Sequence, residues 1–510
     1  MSFISLGFSL FVIVTLLVYY IVPKKLQWIV LLIASYVFYL FTGVRYLGYI
    51  LFTTITTYAA ALLIEDEAEK QRAYLKENKE TITKEEKKEY KATVKRKQKW
   101  LLFCCLLLNF GILLYLKYVD LSIAYINLFR LEHFGRTDFI PFKNPLLPLG
   151  ISFYTFQAMG YLIDIYYGRY EASKSIFRFA LYVSFFPQII QGPISRFNEL
   201  MPEFYKERSF EFDRIKSGFY RVMWGLFKKL VIADRLASYV NKTMAMQDHY
   251  RGLYIILVIF FYSMQIYGDF SGGIDVALGV GEMFGIRITE NFERPFFSKS
   301  IAEYWRRWHI TLGTWFKDYI FYPLSIYKPV LNLGKSVKTH VSNGLGKRIP
   351  LYLPMFIVWF TTGMWHGSQN KYLVWGLLNC FFIILGTELE PVSLKLIEKF
   401  RINVSGFVFR AYRAVKTFWL MAFLRVFDIS KDVREGFHAI RYAFSGWSSF
   451  SFDTVFNELD LPLEEFRVAI LAIIILFAVE LLQRSGSVRT RIFRLPVAAT
   501  CKKLFRTRST

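Results

Sequence analysis

A chain of 510 residues that is 54% hydrophobic and 19% aromatic gathers its apolar residues into runs about as long as a bilayer is thick, which excludes an ordinary soluble domain and reads as a polytopic membrane protein. The formal charge of +24 would point to nucleic acid in a soluble chain. Here much of the basic excess lies in loops and tails beside apolar runs, where it sets topology and suits anionic lipid headgroups, so membrane lipids and no nucleic acid are the expected contacts.

In chain order the candidate spans are 4–22, 26–41, 46–64, 100–116, 148–166, 177–191, 218–236, 253–267, 350–365, 372–385, 417–427 and 466–482. Several are short or interrupted by Gly, Pro and charge, which predicts tilted, broken or re-entrant segments. The first run has no basic n-region and no small-residue cleavage site, so a permanent span is expected. Lys24 and Lys25 follow it. The polar block 65–99 carries 12 Lys/Arg against 9 Asp/Glu and has Thr81-Ile82-Thr83 near its centre. Its composition predicts a charged cytoplasmic helical hairpin. Residues 118–144 read as an extracytoplasmic loop, 327–348 as a basic connection, and 484–510, with eight Lys/Arg and no acid, as a basic cytoplasmic tail. The positive-inside rule then puts the N-terminus outside and the C-terminus in the cytoplasm of a multi-pass protein. One membrane domain, 1–510, with these decorations is expected. Cys104, Cys105, Cys380 and Cys501 form neither a disulfide framework nor a spaced metal site.

The densest motif is Trp305-Arg306-Arg307-Trp308-His309-Ile310-Thr311-Leu312-Gly313-Thr314-Trp315. On one helix Trp308, Leu312 and Trp315 would share a stripe, and Arg306, His309 and Gly313 the neighbouring one, so the polar pair would face a cavity while the indoles pack. Trp and Arg are also ordinary interface anchors. The second motif is Trp365-His366-Gly367, between uncharged runs. Burial disfavours imidazolium, so His366 is expected to be neutral and able to accept a proton, as a general base must. The bland alternative is a histidine that merely ties neighbouring helices together. His133, His249, His340 and His438 read as surface residues, and no His or Cys spacing supports a metal site. Asp269 and Asp275 are buried-acid candidates that either pair with the arginines or end a helix.

At these residues the chain resembles the membrane-bound O-acyltransferase family, in particular the bacterial branch that contains alginate O-acetyltransferase and the peptidoglycan O-acetyltransferase membrane subunit. The matching segments are 148–157, 186–194, Asp269-Phe270-Ser271-Gly272, Glu290-Asn291-Phe292, 305–315 with Asp318-Tyr319, and 363–367 with Leu373-Val374-Trp375-Gly376. The resemblance implies an all-α fold, a ring of about 10–13 transmembrane and re-entrant helices around a central tunnel. It also implies a bacterial inner membrane, acetyl-coenzyme A or another acyl thioester as donor substrate with no bound cofactor, a separate extracytoplasmic acetyltransferase as partner, and a surface polysaccharide such as alginate as final acceptor. His366 resembles the family's catalytic histidine and His309 its second motif histidine. Trp305, Arg306, Trp308, Asn379 and Asp269 are the candidate substrate contacts. D-alanyl transfer to teichoic acid is the neighbouring activity. A transporter also carries intramembrane Arg and His, but the halves show no inverted repeat, and a non-catalytic scaffold for polysaccharide export stands as the third reading.

Overall fold

The computed structural model describes residues 4–483. The expected basic tail, 484–510, and Cys501 lie outside the described residues. Among those described there is no strand, only an isolated antiparallel bridge between Phe292 and Trp308; everything else regular is helix. Four helices are long and apolar enough to cross a membrane, Val44–Glu77, Lys84–Phe134, Leu253–Met283 and Asn370–Glu388, and Leu6–Ile21 is a shorter apolar helix. The chain is a multi-pass membrane protein.

By its contacts the chain forms two compact units, 1–225 with 273–417, and 226–272 with the described residues from 418 on. The division falls inside the helix Leu253–Met283.

In the first unit the charged block forms the tip of a helix pair. Val44–Glu77 ends at Asn78, and Thr83 opens Lys84–Phe134 through a capping box in which Glu86 N–H donates to Thr83 Oγ1 and Thr83 N–H to Glu86 Oε2. Reciprocal bonds of this kind satisfy the orphan donors of a helix start, so the turn closes on its own chemistry. Below the tip Gln98 Nε2 joins the pair by donating to Ile64 O at 2.9 Å, and Glu65 ties the first helix to the segment at Ala172, whose N–H its carboxylate accepts at 2.9 Å. The second helix then runs 51 residues, about 76 Å at 1.5 Å per residue. Residues 118–134, read above as part of a loop, are therefore helix; loop begins only after Gly135, whose φ of 59° suits glycine. The chain folds back along the same helix, because Asn127 exchanges two hydrogen bonds with Ile140 and Asp120 accepts the Lys143 and Asn144 N–H groups.

Asn343–His366 and Asn370–Glu388 meet backbone to backbone. A Cβ on Gly376 would stand 2.6 Å from Trp359 O, and one on Gly363 would stand 2.7 Å from Tyr372 O. Small residues at such a contact let two helices approach closely in a bilayer, where there is no hydrophobic drive between them.

In the second unit a π-helical segment, Phe227–Ala233, brings two lysines to different partners. Buried Lys228 donates to Ser271 Oγ at 2.8 Å, and Lys229 bridges Asp234 at 2.7 Å and Asp269 at 2.6 Å. Tyr267 hydrogen-bonds to buried Glu480 of the helix Leu463–Leu482. Each of these charges is paired or hydrogen-bonded inside its own unit, as burial requires.

Replacing Gly376 by Val should push the two helices apart and cost about 1–3 kcal/mol of stability, as overpacking does. Thermal unfolding in detergent checks this: a midpoint equal to that of the unaltered protein would contradict the close approach.

Candidate functional site

The Trp-Arg-rich motif is not one helix. Ser300 caps a seven-residue helix, Ile301–Arg307, and a second of seven residues runs Ile310–Phe316. Between them Trp308 is extended (φ −108°, ψ 125°) and His309 is left-handed (φ 49°, ψ 52°). The stripes expected of a continuous helix therefore do not form. The cause lies in the segment 291–293, which pairs with the motif as a short antiparallel rung: Glu293 N–H donates to Arg307 O at 2.9 Å, and Ile310 N–H to Asn291 O at 3.0 Å. Trp308 is buried between Phe292, whose ring centroid is 4.9 Å away, and Tyr304 at 5.7 Å.

His309 occupies the N-cap position of the second helix, but its side chain does not cap it. Asn291 does so from across the rung. Its Oδ1 accepts Thr311 N–H at 3.0 Å and Thr311 Oγ1–H at 3.0 Å, and lies 3.3 Å from His309 Nδ1. A helix start leaves N–H groups without intrahelical partners, and an Asn oxygen is well suited to them. His309 is 5% exposed and lies outside the four candidate spans. Burial pushes its imidazole down to about 3, so the ring is neutral at ordinary pH. It stacks near Phe153 (6.3 Å, 30°) and meets Trp365 edge-on at 6.0 Å.

Trp365 joins the two histidines. His366, the last residue of its helix, lies 4.8 Å from the Trp365 ring on one side and 4.6 Å from Trp375 on another. The uncharged run was expected to bury His366, whereas its side chain is exposed. The helix stops at this residue, which places the imidazole at an end rather than in the middle of the apolar run. Lys117 and Tyr118 of the long helix fasten that end. Lys117 Nζ donates to Trp365 O and lies 5.4 Å from the indole centroid, while Tyr118 OH donates to Met364 O at 2.5 Å. A cation at a helix C-terminus satisfies the last carbonyls and complements the macrodipole. Lys117 is the first charge after the uncharged stretch 101–116, a signal that went unused in the sequence reading.

The other candidates divide. Trp305 Nε1–H donates to Asn379 Oδ1 at 3.0 Å, and Asn379 Nδ2 donates to Trp375 O at 2.8 Å, so both hold the indole wall behind His366. Trp305 packs 5.0 Å from Trp359 and 5.6 Å from Trp375. Trp308 is packing, Arg306 is exposed, and Arg307 pairs with Glu303 at 2.7 Å. Asp269 belongs to the second unit and is taken by Lys229. Asp275 lies within a helix rather than at its end, and Arg221 holds it at 3.1 Å. The sequence reading also missed Asp164, buried beneath Arg169 (2.6 Å), Tyr170 (2.7 Å) and Tyr319 (2.8 Å), with Arg196 bound to Asp318 beside it. Among the described residues no three His, Cys, Asp or Glu side chains converge as metal ligands.

Residues 171–427, which include both histidines, match the family model of the membrane-bound O-acyltransferase family. "Probable alginate O-acetylase AlgI" of Pseudomonas syringae is 32% identical over 74% of this chain and 65% of its own length. The protein of the same name from Pseudomonas aeruginosa is 32% identical over 81% of this chain and 72% of its own. "Peptidoglycan O-acetyltransferase" of Helicobacter pylori is 31% identical over 69% of this chain and 62% of its own. The chain thus spans about two thirds of the length of these relatives.

The two histidines should differ in reactivity. Diethylpyrocarbonate at neutral pH should carbethoxylate exposed His366 and spare buried His309 in the folded protein, read by peptide mass mapping. Equal labelling of the two would contradict the burial described.

Proposed function

The chain belongs to the membrane-bound O-acyltransferase family, and on that premise we propose that it transfers an acyl group from a thioester donor on the cytoplasmic side to a hydroxyl acceptor serving cell-surface polysaccharide modification. Acetyl is the acyl group, acetyl-coenzyme A the donor, and an alginate-like polymer the final acceptor; the names of the acetylase relatives support this choice. The protein lies in a bacterial inner membrane with its N-terminus outside and its C-terminus in the cytoplasm. A separate extracytoplasmic acetyltransferase completes delivery to the polymer.

One observation carries the reading: an exposed histidine held at a helix end by Lys117 and Tyr118, with a second, buried and neutral histidine against the same indole. His366 acts as general base. The acceptor O–H gives its proton to the imidazole as its oxygen bonds to the thioester carbonyl carbon. The C–S bond then breaks, and the leaving thiolate takes the proton back from the imidazolium, which restores His366 and releases a thiol. Exposure suits such a base, because both reactants must reach it. The indole wall of Trp305, Trp359 and Trp375 holds the ring from behind.

General-base catalysis contributes roughly 10²–10⁴-fold. His366→Ala in proteoliposomes supplied with labelled acetyl-coenzyme A should therefore lose acetyl transfer by about that factor while remaining inserted. Unchanged transfer by the variant would reject the assignment. Transfer from a D-alanyl thioester but not from acetyl-coenzyme A would move the donor to the neighbouring activity.

A further inference from the structure

A cleft of about 720 Å³, lined by neither histidine, opens in the first unit. Two apolar helices end beside it. Tyr20, in the last turn of Leu6–Ile21, donates its hydroxyl to Met283 O at 2.6 Å, and Met283 is the last residue of Leu253–Met283, one of the four candidate spans. A tyrosine where apolar helices stop marks a membrane boundary, which sets the cleft at headgroup depth. Its volume falls within the roughly 300–1,000 Å³ of small-molecule sites.

Three arginines and four glutamates line the cleft, and most of them are already matched. Arg221 holds Asp275 at 3.1 Å and Glu290 at 2.6 Å, Glu203 takes Arg208 at 2.7 Å together with Lys206, Glu199 accepts the Thr289 hydroxyl at 2.9 Å, and Arg214 pairs with Glu211 at 3.1 Å. Two side chains of opposite sign are left over. Among the described residues neither half-buried Glu282 nor exposed Arg287 has an ion-pair or hydrogen-bond partner for its side chain. A partly buried charge is unfavourable until a partner reaches it. A polyanion such as the phosphates of coenzyme A would meet four carboxylates here, and a simple cation would meet three guanidinium groups. A ligand carrying one charge of each sign matches both open side chains.

The helix Phe212–Leu226 forms one wall and has two faces. Arg214 and Arg221, seven residues apart, share the stripe toward the cleft, beside buried Gly218, where a Cβ would stand 2.5 Å from Gly279 O. Phe212, Phe219 and Met223 lie on the opposite stripe and are exposed. An apolar stripe turned outward at the end of a span suits acyl chains. We propose that the cleft binds the phosphoethanolamine headgroup of a membrane phospholipid, its primary ammonium donating to Glu282 and its phosphate accepting from Arg287, with the acyl chains along Phe212, Phe219 and Met223. A primary ammonium has N–H groups to give a carboxylate, and choline has none. Such a site stands apart from acyl transfer, and neither reading depends on the other.

Native mass spectrometry of the full-length protein tests this after release from nanodiscs made with equal parts of phosphatidylethanolamine, phosphatidylcholine and phosphatidylglycerol. The unaltered protein should retain phosphatidylethanolamine over each of the others by about tenfold, the worth of one charge-assisted hydrogen bond. Equal retention of the three, or a preference for phosphatidylglycerol, would overturn the proposal without any variant. Glu282→Gln should erase the preference over phosphatidylcholine, and Arg287→Gln should lower retention of phosphatidylethanolamine by about tenfold. Thermal midpoints in phosphatidylcholine nanodiscs equal to that of the unaltered protein would show that binding, not folding, was lost. A preference that survives in both variants would move the headgroup out of this cleft and overturn the assignment. Soluble glycerophosphoethanolamine should compete poorly, since it has no acyl chains to lay on the helix; displacement of the lipid by an equal concentration of it would overturn the phospholipid as the ligand.

Discussion

The site depends on one amide oxygen. Asn291 Oδ1 receives the N–H and the hydroxyl of Thr311 at the start of a short helix and lies 3.3 Å from His309 Nδ1. These bonds make the break at Trp308 and His309 favourable. A non-glycine residue in the left-handed region costs roughly 1–2 kcal/mol. Each buried hydrogen bond contributes roughly 0.5–1.5 kcal/mol net, and a lost one would strand a buried donor at about 1–3 kcal/mol. Together the bonds from Thr311 to this oxygen outweigh the strain at His309. The break also fixes where the imidazole goes, because an extended Trp308 locked against Phe292 leaves the next side chain no freedom to follow the helix face.

The second histidine is held by different means. His366 ends a helix, so its backbone carbonyl neighbours would lack partners without Lys117 and Tyr118. Those two residues come from a helix whose other end is the charged tip, 19 and 20 residues beyond Gln98, or about 30 Å along the axis. The same helix thus anchors the polar ties near Ile64 and Tyr166 and the end of the His366 helix. Aromatic side chains fill the space between. Trp365 touches both imidazoles, and Trp305, Trp359 and Trp375 close the rear. Large rings with few torsions are suited to this, since they bury much area at little entropic cost.

A division of labour follows from exposure. His309 is sealed and neutral, and His366 is open at a helix end. Two histidines in unlike environments can take unlike roles. Environment, more than residue identity, sets that assignment.

The sequence by itself determined the membrane class and where the two histidine motifs lie, because apolar run length and composition are local and additive along the chain. It also carried the family, through motifs spread over most of the length. Tertiary structure alone decided the rest. Helical periodicity placed Arg306 and His309 on one stripe, but Asn291, eighteen residues away, offered hydrogen bonds that intrahelical pairing at Trp308 and His309 could not match. Uncharged neighbours made His366 look buried, but burial depends on where a helix stops. Asp269 looked like part of the site until Lys229 claimed it. In each case the deciding partner is distant in sequence or set by packing, and its pull appears in no local pattern; only the fold brings it within hydrogen-bonding range.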